Sequence, residues 1–193
     1  GVSGVLVFSS GTSSVGNTGA LFMGSGAATG GRGGMVSVSV GSGTSGMGGT
    51  MSLLSGRSTV NTGGALSLES GEGTGTSSGF ITIRTANGGA SGVSGWLVFS
   101  SGTASRGNSG ALVIGSGSAT GGRGGMISVS VGSGTSGSGG VLSLLSGRST
   151  INTGGALSLE SGEGTASSSG FITIRTANAG TSGVSGRLAF SSG

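Results

Sequence analysis

Apolar residues return every fifteen positions along this chain, with one intervening residue between paired members of each unit. The first column runs Leu6, Leu21, Val36, Met51, Leu66, Ile81, Leu97, Leu112, Ile127, Leu142, Leu157, Ile172 and Leu188. The second follows two residues later, as Phe8, Met23, Val38, Leu53, Leu68, Ile83, Phe99, Ile114, Val129, Leu144, Leu159, Ile174 and Phe190. Side chains alternate faces with period two in a strand, so each pair predicts a short strand with both members on one side. Thirteen equivalent strands predict an all-β fold: a β-solenoid of about thirteen coils of 15–16 residues, narrow and two-faced. Its core ladder includes Leu6, Phe8, Leu21, Met23, Leu66, Leu68, Ile81, Ile83, Leu157 and Leu159. A charge at Leu68 is then expected to unfold the whole array.

Glycine punctuates the same period. Gly11, Gly26, Gly41, Gly56 and Gly71 follow the apolar pairs, and Gly19, Gly34, Gly49, Gly64 and Gly79 precede the next ones. Two fixed glycines per coil predict two tight corners, since glycine alone reaches positive φ without steric penalty. The segment between them is built from Gly, Ala, Ser and Thr and is assigned to a second, thin strand. Two steps are sixteen residues long, and Gly95 and Gly186 are the assigned insertions.

A longer repeat lies over the short one. Gly1-Val2-Ser3-Gly4 recurs at Gly92-Val93-Ser94-Gly95 and at Gly183-Val184-Ser185-Gly186. Residues 1–91 and 92–182 differ at 16 of 91 positions. No charged or proline-rich linker separates them. The sequence therefore predicts one continuous domain over 1–193, with superunits 1–91 and 92–182 and the start of a third at 183–193. The chain opens on Gly1 and closes inside a repeat at Gly193, as a processed piece, an excerpt of a longer array or a chain given without its termini would.

Composition limits the chemistry. The 193 residues include 51 glycines, and only 6% are charged. There is no His, Cys, Asp, Lys, Tyr or Pro. His or Cys metal sites, Asp-bearing calcium repeats and Ser-His-Asp arrangements therefore cannot be assembled, and neither an enzyme nor a cofactor is expected. Eight Arg and four Glu give a net charge of +4 without any run of like charge, so no nucleic-acid partner is expected. No apolar stretch approaches a membrane span, and no secretory leader is visible.

The charges fall on equivalent positions of successive units. Arg57 precedes Glu72, and Glu69 precedes Arg84, by one unit; Arg148 with Glu163 and Glu160 with Arg175 repeat the arrangement. On rungs about 4.8 Å apart these would be inter-coil charge pairs that penalise a slip in register. A threonine column follows: Thr29, Thr44, Thr59, Thr74, Thr120, Thr135, Thr150 and Thr165. It has three readings: an inward ladder, a Ser/Thr surface for glycans, and a flat ice-binding face of the kind seen in ice-binding β-solenoids. No Asn-x-Ser/Thr sequon occurs, and O-linked sugars on outward hydroxyls are compatible with the pattern without being specified by it. Outward Val7, Phe22, Val98 and Val113 are candidates for lateral packing between fibres.

Units such as Gly-Gly-Ala-Leu-Ser-Leu-Glu-Ser-Gly at 63–71 and 154–162 resemble those of Gly/Ser/Thr-rich tandem-repeat β-solenoid proteins of microalgal, microbial and viral surfaces. The resemblance spans the chain and transfers no catalytic residue. It implies an extracellular or particle-surface location and a structural role. The sequence thus predicts a section of a long fibre or surface appendage whose partner is itself, end to end or laterally. The alternative is a solenoid whose flat Ser/Thr face binds ice or polysaccharide.

Overall fold

The computed structural model describes residues 3–192, which divide into two units between Leu97 and Val98. Among the described residues there is neither a helix nor a β-strand. The expected all-β solenoid is therefore corrected to a largely irregular chain interrupted by bends. Each unit contains six bends. In the first they lie at 14–16, 29–31, 44–46, 59–61, 74–76 and 90–92; in the second at 105–107, 120–122, 135–137, 150–152, 165–167 and 181–183.

The physical reason lies in what the glycines do. Gly49 N–H donates to the Gly41 carbonyl at 3.1 Å, Gly64 to Gly56 at 2.8 Å and Gly79 to Gly71 at 2.9 Å. The second unit repeats these closures from Gly140 to Gly132, Gly155 to Gly147 and Gly170 to Gly162. The two glycine positions thus close a single loop instead of turning two corners. The Gly/Ala/Ser/Thr segment between them forms that loop, so no second wall exists for the apolar columns to pack against. Positive φ occurs only at Gly11 and Gly16 among the described residues. Close approach is the commoner demand: a Cβ on Gly64 would lie 3.2 Å from the Gly56 nitrogen, and one on Gly34 would lie 2.9 Å from Ser25 Cβ.

The sixteen-residue steps also move. Thr85 faces Gly95 across one loop and Thr176 faces Gly186 across another, just as Ser70 faces Gly79. Gly95 and Gly186 therefore hold the ordinary closing position, and the extra residue lies within the loop before each. Both long loops contain a tight turn, closed by Gly92 N–H to the Gly89 carbonyl and by Gly183 N–H to the Gly180 carbonyl.

No core forms among the described residues: no hydrophobic side chain is buried. Leu6, Phe8, Leu21, Met23, Leu66, Leu68, Ile81, Ile83, Leu157 and Leu159 are all exposed, which corrects their assignment to a core ladder. The accessible surface is 19137 Å² for 17.6 kDa, against about 7,900 Å² for a folded chain of this mass and about 25,500 Å² for an unfolded one. The period nevertheless survives in graded exposure. Met51 and Ile81 in the first column are 47% and 51% exposed, whereas Phe22 and Phe80 beside the columns are 92% and 89% exposed.

Candidate functional site

Loop closure takes two chemical forms. Where the residue entering the loop carries a hydroxyl, that group often donates across it: Ser25 Oγ to the Gly34 carbonyl at 2.7 Å, Ser116 Oγ to Gly125 at 2.9 Å and Thr85 Oγ1 to Gly95 at 3.1 Å. The glycine backbone bonds close the loops entered by Val40 and Val131, which lack a hydroxyl, and also those entered by Ser55, Ser70, Ser146 and Ser161. Inside two loops a serine caps the bend. Ser58 Oγ accepts from Asn61 N–H at 2.9 Å and Val60 N–H at 3.4 Å, and Ser149 does the same for Asn152 and Ile151. Such short-range side-chain bonds compete with a sheet ladder for the backbone, which favours the local loop. Facing pairs nine residues apart, such as Ser25 with Gly34, escaped the sequence analysis. Their signal was a small or hydroxyl residue at a constant offset before each closing glycine.

Thr29, Thr44, Thr59, Thr74, Thr120, Thr135, Thr150 and Thr165 each occupy the first position of a bend, and all eight are exposed. Ser14, Ala90, Ser105 and Thr181 begin the remaining four bends. The threonines are thus surface residues on loop crowns, distributed one per loop.

Arg57, Glu72, Glu69, Arg84, Arg148, Glu163, Glu160 and Arg175 are exposed as well. The adjacent-rung geometry that would set Arg57 beside Glu72 needs a ladder, and the described residues contain none. An open depression of about 330 Å³ is lined by Arg175, Thr176, Ala177 and Asn178, at the entrance to the long loop of the second unit. Among the described residues no cluster of His, Cys, Asp or Glu could hold a metal ion, and no helix is long and apolar enough to cross a membrane.

What recurs most regularly on this surface is therefore an apolar pair between successive loops, followed by a hydroxyl-bearing or small residue on each loop crown. No protein-family model, curated protein or solved structure matches the chain.

Proposed function

We propose that the chain is a structural segment of an extracellular fibre or surface appendage, and that it works by associating with further copies of itself. The exposure of the apolar columns carries this reading. A soluble monomer rarely leaves contiguous apolar patches larger than a few hundred Å² in water, yet every column residue here is exposed. The excess over a folded chain of this mass is about 11,000 Å², several times the roughly 1,600 Å² buried in a standard interface.

A second copy is the occupant that the sequence favours. Columns repeating every fifteen residues present the same spacing to any copy shifted by a whole unit, and the near identity of 1–91 with 92–182 extends that match. With only 6% charged residues, little repulsion opposes close approach. The extracellular assignment rests on the resemblance of units such as 63–71 and 154–162 to those of Gly/Ser/Thr-rich surface proteins.

Sedimentation over a range of concentrations, with electron microscopy of the concentrated material, tests the proposal. Growth from monomers into elongated assemblies as concentration rises is the expected result. A species that stays monomeric throughout overturns it. If that monomer is retained on a polysaccharide matrix, the loop-crown hydroxyls become the working surface instead.

A further inference from the structure

The long loops of the two units have nearly the same sequence, Thr85-Ala86-Asn87-Gly88-Gly89 and Thr176-Ala177-Asn178-Ala179-Gly180. We infer that Asn87 is a site of spontaneous deamidation and that its counterpart Asn178 is protected from it. This inference is independent of the assembly proposed above. Of the six asparagines, only Asn87 is followed by glycine.

The reaction needs the backbone nitrogen of the following residue to reach the asparagine Cγ. At Asn87 that nitrogen, having lost its proton to solvent, forms a bond to Cγ. The bond from Cγ to the side-chain nitrogen breaks, and that nitrogen leaves as ammonia. Water then opens the cyclic imide at either carbonyl, leaving an aspartate or an isoaspartate. The net change consumes one water and releases one ammonia, without oxidant or reductant.

Three observations separate the two sites. Asn87 is exposed, as Asn178 is, but the residue after it, Gly88, is exposed too, so water and the leaving ammonia have free access. Gly88 has no Cβ to obstruct ring closure, whereas Ala179 carries one. Most directly, the Ala179 nitrogen donates to Ser185 Oγ at 3.2 Å, whereas the Gly88 nitrogen has no such partner among the described residues. The attacking atom is therefore engaged in the second unit and available in the first. Ala179 is also half-buried, while Gly88 is exposed.

The product adds a carboxylate three residues after Arg84 and lowers the net charge of +4 by one. The two superunits, already unequal in charge because Arg106 stands where the first has Val15, thereby diverge further as the molecule ages.

Cleavage after arginine isolates each site with a single asparagine, in peptides 85–106 and 176–187. After incubation of the intact chain in neutral buffer, peptide 85–106 should gain about 1 Da and separate into aspartate and isoaspartate forms. Peptide 176–187 should lag by about tenfold or more. Gly88→Ala should suppress the gain at Asn87. Ala179→Gly should speed reaction at Asn178, which should still trail Asn87 in buffer and match it in denaturant, where the Ser185 bond is lost. Equal rates at Asn87 and Asn178 in the unaltered chain, or no mass gain at Asn87, would overturn the inference. Ala179→Gly reaching the Asn87 rate in buffer would remove the protection assigned to Ser185.

Discussion

Leu68 occupies the position that periodicity assigns most firmly to an interior, yet its side chain is 67% exposed. The consequence for mutation reverses the expectation drawn from sequence. In a stacked array, Leu68→Glu buries a charge and unfolds many coils; here the new carboxylate meets water, which solvates it at little cost. The substitution should leave the circular dichroism spectrum of the dilute chain unchanged. Its effect belongs to association, where burying a leucine contributes about 1.5–3 kcal/mol. Leu68→Glu should thus weaken self-association by about tenfold or more per copy, read from the sedimentation profile. An altered spectrum at a concentration where the chain is monomeric would show that Leu68 is packed after all. The neighbouring residues fit the same picture, because Ser67 and Glu69 are exposed alongside Leu66 and Leu68.

The loop is the unit of local order, and each loop stands largely by itself. Few of the close Cα approaches in this chain join residues twelve or more positions apart. Opening one loop should therefore leave the others as they were. Gly64→Ala puts a methyl group 3.2 Å from the Gly56 nitrogen and 3.4 Å from its carbonyl oxygen. The bond from Gly64 N–H to the Gly56 carbonyl, at 2.8 Å, must then lengthen or break. A hydrogen bond of this kind contributes about 1 kcal/mol net, so loop closure should fall about fivefold. NMR amide shifts should change within 55–65 and stay fixed at Gly49 and Gly79; shifts spreading to those glycines would reveal a coupled stack.

How much was legible in advance is clearest at this scale. The bends recur with the sequence period, including its two longer steps, because glycine placement sets where the chain doubles back. Whether Gly41 and Gly49 make two corners or one loop was not legible. Both uses call for glycine at the same spacing, and only the bond between the two distinguishes them. The placement of Gly95 failed for a related reason: an insertion anywhere between Thr85 and Gly95 gives the same step of sixteen. The apolar columns show which side chains share a face, since alternation fixes that. They carry no information about whether a second wall exists to cover the face. The threonine column illustrates the same limit: its period was plain, whereas its position on the loop crowns depended on where each bend begins.

For the chain as a whole, the decisive quantity is the water-exposed apolar surface. Glycine-rich backbone loses more conformational freedom on ordering than any other, and two apolar residues in every fifteen do little to offset that loss. Without a second wall the columns remain in water, and the described residues hold no interior whose loss could be cooperative. The most direct test is scanning calorimetry of the chain at a dilution where sedimentation shows monomers. A cooperatively folded domain of 193 residues should absorb on the order of 135 kcal/mol at its transition, at about 0.7 kcal/mol per residue. The structure predicts a trace without such a peak, rising smoothly as the loops open one by one. A sharp endotherm of that size in the monomer would contradict it, because only a shared, buried core melts in that way.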